Sequence, residues 1–173
     1  EPALAAFQEG VVFVDVQNRK LLSDFYGQIG DLYYHTEQKD SAYVAYDKAL
    51  KANPGNLGIL NNYSYFLAID NKDLDKAEKM SSQTIKAEPL NPTYLDTYGW
   101  VLFKQKAYSM AKIYIENGIE NTKDKEEISA EVYEHYGDVL YMTDEKEKAL
   151  EYWIKAKEVG DSESKTLDRK IET

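Results

Sequence analysis

Cysteine is absent from this chain, and the residue types that could do chemistry include 2 histidines, 31 carboxylates and 15 tyrosines. Thiol catalysis, disulfides and cysteine-ligated zinc are thereby excluded. His35 follows Asp31 by four residues and His135 follows Glu131 by four, which puts acid and imidazole on one helical face. The two histidines are 100 residues apart, so a structural or surface ion pair at each is expected, not a shared metal or proton-transfer centre. The stretch NKDLD (71–75) opens like a calcium loop but lacks the sixth-place glycine and the closing glutamate, and reads as a turn between helices. Asn62-Tyr63-Ser64 is a formal glycosylation sequon inside a predicted helix and is discounted. No GxxxxGK, GxGxxG, HExxH or GxSxG pattern occurs, so neither an enzymatic site nor a cofactor is expected.

The elements that must carry these side chains are clearest from Asn91 to Ala111. Asn91 is the expected helix N-cap and Pro92 the first helical residue, where its missing N–H costs nothing. Leu95, Tyr98, Gly99 and Leu102 then form the stripe that an amphipathic helix buries. The same cassette recurs from Asp24 (DFYGQIGDLYYH), Gly58 (GILNNYSYFLAI) and Glu131 (EVYEHYGDVLYM). A small residue returns at Gly30, Ser64, Gly99 and Gly137, at intervals of 34, 35 and 38, and a second at Ala42, Ala77, Ala111 and Ala149. Each copy therefore reads as two helices, and a period of this length marks a helical solenoid.

These residues resemble the tetratricopeptide repeat. Tyr26, Ile29, Gly30, Tyr33, Ala42, Tyr46, Ala49 and Pro54 match its pattern almost throughout. Tyr133, Tyr136, Gly137, Leu140, Ala149, Trp153 and Ala156 match nearly as well, with Asp161 where proline is usual. The copy after residue 56 departs most, with Ser64, Ser81 and Thr84 at motif positions, and loose packing is expected there. In the next copy Gly118 replaces an alanine, so its second helix is expected to fray or bend. The resemblance implies an all-α fold, a right-handed superhelical α-solenoid of antiparallel helix pairs.

One repeat domain is expected over 1–173: a half repeat at 1–22, repeats at 23–56, 57–91, 92–129 (with an extended loop) and 130–161, and a capping helix at 162–173. Residues 1–16 include the run Val11, Val12, Phe13, Val14 and Val16, read as a second helix without its first, with a long connection at 17–20. Asp40 is expected to cap the second helix of the first full repeat, while Asp124 with Glu127 and Asp144 with Glu147 read as capping boxes. Gly160 reads as a C-cap, and Leu167 and Ile171 are expected to cover the last repeat. An opening at Glu1 without methionine is expected of a trimmed precursor or a fragment. The tyrosine-rich, cysteine-free style resembles bacterial envelope members of the family, which favours periplasm or cell envelope over cytoplasm.

A net charge of −10 argues against a nucleic-acid partner, and no apolar run is long enough for membrane insertion. Acidic residues concentrate between Asn121 and Glu151, either as a solvated face or as a surface for a basic partner.

The family resemblance implies that the first helices line a concave groove. Helical geometry then puts Trp100 off the packing stripe, together with its counterparts Asp31, Tyr65 and Asp138. Tyr34, Phe103 and Tyr141 lie one turn on, and Asn61, Asp96 and Glu134 one turn back. The expected groove is aromatic and acidic, unless neighbouring repeats close it. Its acids would repel the acidic chaperone tails that some family members clamp. The expected function is a non-catalytic scaffold that holds a peptide or partner helix in this groove. The alternatives are glycan or small-ligand binding there, or homo-oligomerisation through the N-terminal helix. Trp100→Ala is expected to weaken binding without lowering the melting temperature.

Overall fold

The computed structural model describes residues 2–13, 18–160 and 166–172. Among these, every regular element is helical: α1 (Pro2–Phe13), α2 (Arg19–His35), α3 (Lys39–Ala52), α4 (Leu57–Ile69), α5 (Leu74–Ala87), α6 (Pro92–Lys104), α7 (Tyr108–Asn121), α8 (Ala130–Met142), α9 (Lys146–Val159) and α10 (Leu167–Ile171), with a 3-10 turn at Lys125–Glu127. No described helix is long and apolar enough to cross a membrane. The chain divides into two compact units, Glu1–Phe66 and Leu67–Thr173, and the division falls inside α4.

In the first unit α2 and α3 form an antiparallel pair because Gly30 admits the Tyr46 ring. A Cβ at position 30 would lie 2.6 Å from Tyr46 Cε1. Tyr46 is fully buried and its ring lies 5.1 Å from that of Tyr63, which stacks in turn on Tyr43 at 5.6 Å. At the equivalent place in α4, Ser64 is fully buried and its hydroxyl donates to the Leu60 carbonyl. Aromatic rings thus supply much of the buried area that smaller side chains cannot. The helix expected over 1–16 is present over Pro2–Phe13, none of its residues is fully buried, and Phe7 meets Phe25 edge-on at 5.7 Å. Val14 and Val16 lie outside the described residues. Part of the long connection expected at 17–20 is helical, since α2 starts at Arg19 behind an Asn18 cap.

In the second unit the pairs α6/α7 and α8/α9 repeat the device. A Cβ on Gly99 would meet Ile115 Cγ1 at 2.5 Å, and one on Gly137 would meet Trp153 Nε1 at 2.5 Å. Tyr98, Leu102, Ile115, Tyr136, Leu140 and Trp153 belong to one buried cluster, and Leu167 of α10 joins it as expected of a cap. Asn91 caps α6 as expected, its side chain accepting from the Thr93 and Tyr94 amides.

Several local expectations are corrected. Asp40 sits in the first turn of α3, and Gln38 holds the cap position. Asp124 caps only the 3-10 turn, while α8 is capped by Ser129, whose hydroxyl accepts from the Val132 amide. Asp144 precedes the cap residue Glu145, whose side chain makes no capping bond to α9. Gly118 does not break α7, which runs unbroken from Tyr108 to Asn121; a Cβ there would crowd the Pro92 carbonyl at 3.1 Å.

The turns between paired helices share a feature with no sequence signal. Glu37, Lys106 and Asp144 adopt φ of 60°, 66° and 64°. The following amides of Gln38, Ala107 and Glu145 reach back to the carbonyls of Tyr33, Leu102 and Leu140 at 2.8, 2.9 and 2.9 Å. This is a helix-terminating motif in which glycine is the usual left-handed residue. None of the three positions is glycine.

Candidate functional site

The residues predicted to line a groove lie on α2 and α4 in the first unit and on α6 and α8 in the second, and most of their polar groups have partners within the chain. In the first unit Asp31 accepts a 2.6 Å hydrogen bond from the Tyr46 hydroxyl and one of 3.3 Å from Asn62. Burial, with Asp31 behind it, holds the Tyr46 phenol protonated well beyond the usual range. Tyr34 stacks on Phe66 at 3.7 Å, and Tyr65 meets the same ring at 5.9 Å. Asn61, expected in an open groove, is 7% exposed.

In the second unit the predicted residues fall into two adjoining groups. Asp96 is 7% exposed and both its oxygens lie 3.2 Å from His135 Nδ1. The imidazole stacks on Trp100 at 3.8 Å and 14°, and Trp100 stacks on Phe103 at 4.8 Å. Trp100 Nε1 is buried with no hydrogen-bond partner. Burial opposes a charge on His135, but Asp96, helped by Glu131 and Asp138, more than offsets this and raises its pKa.

The other group surrounds Lys170 of α10. Its ammonium lies 2.7 Å from Glu134 and 2.7 Å from Asp138, and Asp138 also accepts from Trp153 Nε1 at 3.0 Å. Glu134, expected to face the groove, is 6% exposed. Burial raises the Asp138 pKa, against the opposing pull of Lys170 and Trp153. Tyr141 stands over Trp153 at 5.5 Å and remains exposed. Beside this ion pair a cavity of about 320 Å³ is lined by Phe103, Asp138, Tyr141, Met142, Trp153 and Lys170.

Sequence reasoning therefore named Phe103, Asp138 and Tyr141 of that cavity and missed Lys170, Met142 and Trp153. Trp153 carried a signal, as the large residue facing the Gly137 notch. Lys170 carried none, because it stands 36 positions from Glu134 in a polar terminal segment. The acids also fail to form a bare negative surface, since Asp31, Asp96, Glu134 and Asp138 all accept from or pair with groups of the same chain. Elsewhere a second cavity of about 370 Å³ lies in the first unit, where Gln8 of α1 donates to the Tyr33 hydroxyl at 2.8 Å.

Antiparallel helix pairs, three of them (α2/α3, α6/α7 and α8/α9) closed by a glycine on the first helix and a large residue on the second, define a helical-repeat solenoid, a class whose members present extended binding surfaces. Residues 23–56 match the family model of the tetratricopeptide repeat. The fold of the whole chain resembles that of MamA (residues 41 to the end) from Desulfovibrio magneticus RS-1, with a TM-score of 0.71 and 17% identity over 93% of this chain and 87% of that one. It also resembles PilF of Pseudomonas aeruginosa, with a TM-score of 0.65 and 20% identity over 93% and 78% of the two chains. YrrB, described as a tetratricopeptide protein with an unusual peptide-binding site, aligns with a TM-score of 0.65 and 18% identity over 90% of this chain and 75% of its own. No curated protein sequence matches the chain significantly. Residues 23–56 are thus a tetratricopeptide repeat, and the likeness to these solved structures extends the helical-repeat fold over the rest of the chain.

Proposed function

We propose that this protein is a non-catalytic scaffold, a single domain of four repeats with an N-terminal half repeat and a C-terminal cap, which binds a peptide or helix of a partner. The observation that carries this reading is the cavity of about 320 Å³ against α8 and α9, whose walls are the rings of Phe103, Tyr141 and Trp153. Aromatic walls bury much area for little lost side-chain freedom, and a cavity of this size admits one large apolar side chain. The carboxylates of Glu134 and Asp138 at its edge favour a basic ligand over an acidic one. The test is a combined peptide and glycan array probed with wild-type protein and Tyr141→Ala. Peptide hits that weaken at least about tenfold in the variant are expected. Hits confined to glycans, or peptide hits indifferent to Tyr141, would remove this reading.

Self-association through α1 is the second reading, favoured by Val12 and Phe13, which are 79% and 87% exposed. Sedimentation should then show a concentration-dependent dimer that Phe13→Ser abolishes. A monomer at all concentrations would refute it.

A further inference from the structure

We propose that α10 is an internal ligand: Lys170 occupies, from within the chain, the place that a partner's lysine or arginine takes when an amphipathic basic helix binds the cavity beside it. The inference rests on the scaffold reading above and names both the partner chemistry and the regulation of that site.

The geometry of Lys170 is that of a bound cation. Its ammonium is 2.7 Å from Glu134 and 2.7 Å from Asp138, and the side chain is 24% exposed. Glu134 is held out of water at 8% side-chain exposure, where a cation against it is favourable whichever chain supplies it. Asp138 is fixed by the 3.0 Å bond from Trp153 Nε1, so the cradle does not depend on α10 for its shape. A cradle made of two carboxylates, Glu134 and Asp138, suits a cationic ligand and repels an acidic one.

The element that delivers Lys170 is short, and it packs on the core through Leu167 and the partly buried Ile171. α10 spans only Leu167–Ile171. Helices this short have little stability of their own. Leu167, 6% exposed, is its one fully buried residue. The further tie from Lys157 to Asp168 joins side chains that are 61% and 76% exposed. Exposed pairs of this kind contribute little. Meanwhile the cavity next to Lys170 remains open, with Met142 and Tyr141 exposed on its rim. A partner helix that supplies the same charge and fills the cavity with an apolar side chain offers all that α10 offers and more. The sequence of α10 states the pattern: Leu167, Lys170 and Ile171 place aliphatic groups and a cation on one helical face.

The probe is a fluorescein-labelled, alanine-rich helical peptide with a Leu-x-x-Lys-Ile core, with a control peptide carrying glutamine in place of the lysine. Both are titrated against the full chain as wild type, Lys170→Gln and Leu167→Ala. The lysine peptide should bind either variant at least about tenfold tighter than wild type, because the competing internal lysine is removed or loosened. The control peptide should show no such gain. In wild-type protein, saturating lysine peptide should also speed hydrogen exchange at the amides of Lys170 and Glu172, whose helical bonds would open. This measurement decides the matter if the variants are unstable. Equal affinity for wild type and variants, no binding to any form, or unchanged exchange in wild type would overturn the proposal. Binding that depends on Tyr141 but ignores Lys170 would leave the scaffold reading standing and refute only the internal ligand.

Discussion

His135 Nδ1 stands 3.2 Å from both carboxylate oxygens of Asp96, joining α8 to α6 across 39 positions of sequence. The pair is shielded on one side by the Trp100 ring, which stacks on the imidazole at 3.8 Å. An acid–imidazole contact in this position links successive repeats, whereas the expected partner of His135 was Glu131 on its own helix.

Stability should depend on pH through this pair. Burial resists protonation of His135, but Asp96 and, more weakly, Glu131 and Asp138 raise its pKa above the usual value. With a raised folded pKa, the contribution is complete below the unfolded value of about 6.5 and is lost as pH rises through the folded value. The melting temperature should fall over that interval, and His135→Gln should flatten the fall. An identical profile in the variant would show that the pair does not titrate in this way.

Trp100→Ala should cost about 2 kcal/mol of stability, because the ring is stacked between His135 and Phe103 and its loss uncovers the Asp96–His135 contact. Trp100→Phe should recover much of this. Chemical denaturation reads both values, and an unchanged midpoint for the alanine variant would restore the sequence-based expectation that Trp100 serves binding alone.

Gly99→Leu should destabilise by about 1 to 3 kcal/mol through overpacking. The crowding is against the Ile115 side chain at 2.5 Å and against the Ala111 carbonyl and Ile115 amide at 3.1 and 3.2 Å from a Cβ, backbone that a rotamer change cannot move. Gly55→Ala is the matched control, with nothing nearer than Asn53 Oδ1 at 3.8 Å, and should stay within about 0.5 kcal/mol. Similar losses at both positions would show that general glycine effects, not the notch, dominate.

Lys106→Gly should stabilise by roughly 0.5 to 1 kcal/mol, since φ of 66° strains a side chain with a Cβ. Thermal melting is sufficient to measure the gain. A loss would mean that glycine's extra freedom in the unfolded chain outweighs the strain it relieves.

The periodic features were legible because they obey local rules. The Asn91 cap, the stripe of Leu95, Tyr98, Gly99 and Leu102, and the small residues at Gly30 and Gly137 depend on spacing within one helix pair, and spacing is written in the chain. Helix starts were less legible. Asp40, Asp124 and Asp144 look alike in sequence, yet none caps the expected α-helix: beside Asp40 and at Asp144 a left-handed turn residue sets where the second helix begins, while Asp124 caps a 3-10 turn that ends before α8 starts.

The sequence by itself therefore determined the class of fold and the residues turned away from its packing stripe, since a 34-residue period of helices leaves few other ways to bury the apolar face. Which of those residues remain open was decided only in three dimensions. Asp96 and Glu134 close on His135 and Lys170 through contacts spanning 39 and 36 positions. Phe103 and Tyr141 keep a cavity between them because Trp153, drawn into the Gly137 notch, forms its wall rather than its filling. The physical reason is that a buried charge takes the nearest counter-charge whatever its place in the sequence, and no helical period encodes where that partner will be.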